Sequence, residues 1–136
     1  MHVFLLGATG NLGSRLLPAL HVHGHQTTVL VRSQAKLESL VPSSALSETT
    51  IITGDATDLS AVCSALITSG CDALINTAGQ AAIFPWQSPR KQGIEEIVTR
   101  AAVEASKKMG KPLRVWVMGG MTALDYPGMP GTALSR

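Results

Sequence analysis

The sequence predicts a single α/β domain, a parallel β-sheet wound on both faces by helices. Three observations carry that expectation. Short apolar runs alternate with helical stretches along most of the chain, and a glycine-punctuated turn joins the first run to the first helix. The length, 136 residues, suits one core. Strands separated by helices pair in parallel through right-handed crossovers, with strand order 3-2-1-4-5 expected here.

Each element has a local reason. His2–Leu6 is a buried strand, and Asn11–His23 a helix closed by Gly24, with Pro18 expected to kink it or remove one hydrogen bond. Gln26–Val31 is rich in β-branched residues and forms the second strand. Ser33–Leu40 begins with a good N-cap and forms a short helix, and Pro42–Ser47 is a polar loop. Glu48–Thr53 is the third strand, ending in Gly54-Asp55. Asp58 caps a helix to Ser69, closed by Gly70. Asp72–Asn76 is the fourth strand, and Thr77–Gln92 a long loop holding Phe84, Pro85, Trp86 and Pro89. Ile94–Met109 is an amphipathic helix stopped by Gly110, and Leu113–Met118 the fifth strand. The remainder, Gly119–Arg136, is rich in proline and glycine and is expected to be an irregular tail of the same domain, 1–136.

Composition removes several function classes. Apolar residues make up 45% and charged residues 15%, so a core is readily supplied and disorder is not expected. A net charge of +2 from scattered basic residues is no nucleic-acid footprint. No apolar stretch approaches the roughly 18 residues of a membrane span. The start, MHVFLLGATG, lacks the basic leader and long apolar run of a signal peptide, so the cytoplasm is the expected compartment. Cys63 and Cys71 form no metal-ligand pattern and are expected to pack as reduced thiols. His21, His23 and His25 are scattered by their spacing, and no metal site is expected.

The stretch GATGNLGSRL bears the chemistry. Glycines at 7, 10 and 13 follow a strand and open a helix within a βαβ unit. In such a turn the first glycine allows a tight bend, the second lets backbone approach a pyrophosphate, and the third lets helix pack on strand. The N–H groups of Asn11 and Leu12 would then face the anion, aided by the helix dipole and the Thr9 hydroxyl. The alternative is a tight turn with no ligand, but the flanking strand and helix favour dinucleotide binding.

Cofactor choice is written at the end of the second strand. An NAD site usually holds an acid there for the ribose 2′-hydroxyl. This chain reads VLVRS, with Arg32 in that place and no acid before Glu38. A guanidinium suits a 2′-phosphate, so NADP is expected over NAD. A solvated loop arginine is the plainer reading of Arg32 alone.

GATGNLGSRL, GHQTTVLVRS, GDATD and DALINTAG, in that order and spacing, resemble the short-chain dehydrogenase/reductase superfamily. Together with VMGGMTALDYPG they resemble its atypical NmrA-like, NAD(P)H-binding branch. The resemblance implies a Rossmann-like fold and assigns Gly7, Thr9, Gly10, Asn11, Leu12 and Gly13 to the pyrophosphate turn. It implies Arg32 at the 2′-phosphate, Asp55 and Ala56 beside the adenine, and Ala78 and Gly79 at the nicotinamide ribose. By itself, Asp55 also reads as a turn or capping acid. Phe84 and Trp86 either cover the nicotinamide end or pack their loop down.

Two departures qualify that resemblance. Most enzymes of the superfamily carry a Tyr-x-x-x-Lys pair that passes a proton at neutral pH. Here Tyr126 is the one tyrosine, and Pro130 stands where the lysine would be. No catalytic residue is therefore assigned. The second departure is length, since the full fold continues beyond five strands and the chain resembles a form truncated after the fifth. One side of RVWVM would then lie uncovered, Trp116 among it, inviting self-association through that face or the free edge of the strand. The expected function is an NADP(H)-binding domain of a reductase acting on a small carbonyl or quinone-like acceptor. The alternative is a non-catalytic NADP(H)-sensing or interaction module.

Overall fold

The computed structural model describes residues 1–79 and 93–118, and the backbone of 125–126 and 129–133. Five parallel strands form one sheet in the order β3-β2-β1-β4-β5. Strand β1 (His2–Leu6) lies at the centre, between β2 (Gln26–Val31) and β4 (Ala73–Asn76). Strands β3 (Thr49–Thr53) and β5 (Arg114–Val117) lie outside them. This is the doubly wound, Rossmann-like arrangement that the sequence predicts.

The period-two alternation of β1 distributes its side chains between two cores. Phe4 and Leu6 point to one face, where Leu74 meets Val62 and Leu66 of α4 (Leu59–Ser69) and Val98 and Ala101 of α5 (Ile94–Met109). Leu5 points to the other, against Leu17 of α1 (Gly13–Val22), Leu37 of α2 (Gln34–Leu40) and Val29 of β2. Alanines 101, 102 and 105 give α5 a smooth buried face, which lets it lie close to α4. Asp58 caps α4 by accepting from the N–H groups of Ser60 and Ala61.

Helix α1 runs through Pro18 without interruption. It closes in a Schellman motif, in which His25 N–H donates to Leu20 O and Gly24 N–H to His21 O, with Gly24 at φ +73°. Two segments differ from the sequence reading. Within Pro42–Ser47, expected as a loop, Ser43–Leu46 form a single helical turn, α3, because Ala45 and Leu46 reach the core beside α1. Within 119–136, expected to be irregular, β6 (Asp125–Tyr126) pairs antiparallel with β7 (Met129–Ala133). Pro127 and Gly128, residue types that favour turns, separate the two strands in sequence.

Opposite the carboxyl ends of the strands, one carboxylate ties three segments together. Asp72 accepts from the His2 N–H at 2.9 Å and from Lys111 Nζ at 3.0 Å, while Lys111 also donates to Gly70 O at 2.7 Å. The His2 N–H, then Lys111, hold the Asp72 carboxyl below the usual carboxylate range.

Candidate functional site

The carboxyl ends of β1, β2, β3 and β4 surround a cleft of about 350 Å³. In an open α/β sheet the chain leaves the centre in opposite directions at such a place, and the loops part to make room for a ligand. Here the parting lies between β1 and β4, on either side of which the sheet is built outward.

The glycine turn forms its floor. Gly7 has φ +82°, a conformation L side chains rarely adopt, and a Cβ on it would meet Ala78 N at 2.5 Å. Gly13 is equally constrained, because Gly7 O occupies the space its side chain would need. Gly10 is different: a Cβ there would meet only Gly7 O, at 3.2 Å, with nothing else nearby. The first and third glycines are thus bare for the protein's own packing, and the second is bare toward the cleft. Helix α1 has no side-chain cap at its start and no acidic residue in its first turn. Its leading N–H groups and the positive end of its dipole are left for an anion.

The second wall comes from β2 and α2. Arg32 follows β2, and Ser33 caps α2 by accepting from the Lys36 N–H. That cap brings Lys36 into the same cleft as Arg32. The third wall follows β3, where Gly54 N–H donates to Val31 O at 2.9 Å and binds the two strand ends together. Asp55 then accepts from the Thr57 N–H at 2.9 Å. That bond, with the Thr57 hydroxyl and the nearby Arg32 charge, keeps the Asp55 carboxyl below its ordinary range, so it is ionised at neutral pH. The fourth wall is Thr77, Ala78 and Gly79, after β4, with Ile94 at the start of α5.

Of the residues expected from sequence, Gly7, Thr9, Gly10, Arg32, Asp55, Ala56, Ala78 and Gly79 line this one cleft. Asn11 and Leu12 are exposed and Gly13 is buried beneath the turn, so these three are not among its lining residues. Lys36, Thr57 and Thr77 are lining residues that the sequence reading missed. Lys36 was legible: a cap at Ser33 places the residue three later on the turn facing Arg32. Phe84 and Trp86 lie outside the described residues, and Tyr126 is described only as backbone of β6. Among the described residues no cluster of three metal-ligating side chains occurs, and no helix is long and apolar enough to cross a membrane.

The chain matches a family model described as NAD(P)H-binding over residues 7–134. No curated protein matches it by sequence. Solved structures share its fold. A yeast methylglyoxal/isovaleraldehyde reductase, Gre2, complexed with NADPH, superposes with TM-score 0.72 at 21% identity, over 92% of this chain and 39% of that one. ChuY, an anaerobilin reductase from Escherichia coli O157:H7, gives 0.63 at 23%, over 89% and 52%. The Bordetella bronchiseptica enzyme WbmH in complex with NAD+ gives 0.62 at 19%, over 80% and 36%. The chain therefore spans roughly a third to a half of the length of these three structures.

Proposed function

The chain belongs to the NAD(P)H-binding family, and from that premise we propose that its cleft holds NADP(H), as part of an oxidoreductase acting on a small carbonyl or quinone-like acceptor. The observation that carries the choice of NADP is the pair Arg32 and Lys36 on one wall, with Asp55 the only carboxylate among the described lining residues. A 2′-phosphate offers two cations what a 2′-hydroxyl cannot. Gly10 supplies the room a pyrophosphate needs, and the start of α1 supplies N–H donors with Thr9 beside them. Asp55, held ionised, faces the adenine end, and Ala78 and Gly79 form the wall for the nicotinamide ribose.

The nicotinamide would supply the hydride, and the chain's own residues would orient it. Among the described lining residues, those after β4 offer no group to pass a proton. Ala78, Gly79 and Ile94 have none, and the Thr77 hydroxyl already donates to Leu6 O at 2.8 Å. That observation favours a second reading, a sensor in which NADP(H) biases a partner surface. NADPH oxidation measured against a panel of carbonyls and quinones separates the two. Turnover supports the reductase, and saturable binding without turnover supports the sensor.

We propose a second copy of the chain as the partner of β5. Residues 114–118 are all exposed, Trp116 at 69%. Val115 and Val117, on the opposite face of the strand from Trp116, are 38% and 40% exposed. The N–H groups of Arg114 and Met118 donate to Asp72 O, just before β4, and to Asn76 O at its end, so those of Val115 and Val117 point to the outer edge of the described sheet. An antiparallel two-fold about Trp116 would pair Val115 with Val117 and stack the two indoles across the strands. It would also set each Arg114 opposite a Met118, keeping the cations apart.

A further inference from the structure

The last residue of β4 is an asparagine in a place where the sheet alone asks for an apolar side chain. Asn76 is fully buried, on the same strand face as Leu74, which packs against α4 and α5. Buried amides are normally satisfied at both ends. Asn76 satisfies one: its Oδ1 accepts from the Ala78 N–H at 3.1 Å, while Nδ2 has no partner among the described residues. An apolar side chain there would carry no such unpaired donor, so what sets the asparagine apart is the bond its oxygen makes.

What it holds is the join between two walls of the cleft. Thr77 donates to Leu6 O through both its N–H, at 3.0 Å, and its hydroxyl, at 2.8 Å. Leu6 is followed directly by Gly7, against which the Thr77–Ala78 backbone packs so closely that no side chain fits between them. The Asn76 oxygen adds a third tether, turning Ala78 back onto its own strand. Ala78 and Gly79 then stand as a fixed wall beside the glycine turn.

We infer that Asn76 is a positioning residue for the nicotinamide half of the cofactor, acting through the Ala78 N–H. This rests on the NADP(H) reading of the cleft. Adenosine 2′,5′-bisphosphate carries the adenine and 2′-phosphate but ends before Ala78, so it reports on the other half alone.

The test compares calorimetric affinities of that fragment and of NADPH for the unaltered chain, Asn76→Leu and Asn76→Asp. Asn76→Leu should weaken NADPH about five- to tenfold, the loss expected for one hydrogen bond, and leave the fragment unchanged. Asn76→Asp, which keeps an acceptor for the Ala78 N–H, should recover most of the NADPH affinity. Equal losses for both ligands, or no loss for either, would overturn the inference. Hydrogen exchange of the Ala78 amide in the unaltered chain needs no variant to fold. NADPH should slow it and the fragment should not, and equal slowing by both would overturn the inference as well. An unaltered chain that binds neither ligand would instead overturn the reading of the cleft on which it rests.

Discussion

The carbonyl oxygen of Gly7 occupies the space that a side chain on Gly13 would need. Two glycines six residues apart are thereby locked together, and α1 starts against the end of β1 with no gap between them. The consequence is that the three glycines of the turn fail differently when changed. Gly13→Ala should push α1 off the sheet and cost about 1–3 kcal/mol or more, seen as a lower thermal midpoint. Gly10→Val should leave circular dichroism and the midpoint largely intact while removing dinucleotide binding. Retained NADPH affinity in Gly10→Val would show that the turn serves packing only.

Cofactor selection should reside in two side chains. Each charge-assisted contact to a 2′-phosphate contributes about 1.5–3 kcal/mol, so Arg32→Asp should weaken NADPH by roughly tenfold to a hundredfold. Lys36→Gln should weaken it by less, because an ammonium on a flexible stem lacks the bidentate fork of arginine. NADH affinity should hold in Lys36→Gln. Loss of NADH and NADPH in parallel would place Lys36 outside the phosphate subsite.

The cap at Asp58 and the glycine turn were legible because each depends on neighbours in sequence, and the strand order because strand–helix–strand crossovers take one hand. Arg32 was legible for the same reason, standing directly after a β-branched run. The α3 turn was missed because one turn of helix leaves no periodicity, and burial of Ala45 depends on α1, more than twenty residues away. The β6–β7 pair was missed because its proline and glycine count equally as signs of irregular chain. Asn76 was invisible as well. Its role depends on the Ala78 N–H and on Gly7, which the fold brings beside it from the far end of β1.

Acid should loosen the base of the sheet. Asp72 titrates lower in the folded chain than unfolded, so its contribution is present above the ordinary carboxylate value and is lost as pH falls through the folded one. His2, its imidazole pushed down chiefly by burial, acts in the same sense, since the unfolded chain takes up a proton first. Asp72→Asn should lower the thermal midpoint at neutral pH, and the difference from the unaltered chain should shrink toward strongly acidic pH. A difference independent of pH would mean that the carboxylate charge is not what ties His2 to Lys111.

Self-pairing of β5 should be visible by sedimentation at micromolar concentration. Val117→Pro removes only an N–H that points to the outer edge of the described sheet, so it should yield a folded monomer. Trp116→Lys should do the same by placing like charges opposite one another. An unaltered chain that sediments as a monomer would contradict the pairing.

The most direct test of the central claim is a calorimetric titration of the unaltered chain with NADPH and with NADH. The arrangement of Arg32 and Lys36 around a cleft floored by Gly10 predicts saturable binding of both, with NADPH tighter by about tenfold or more. Equal dissociation constants would contradict the assignment of the 2′-phosphate, and no binding of either cofactor would contradict the assignment of the cleft.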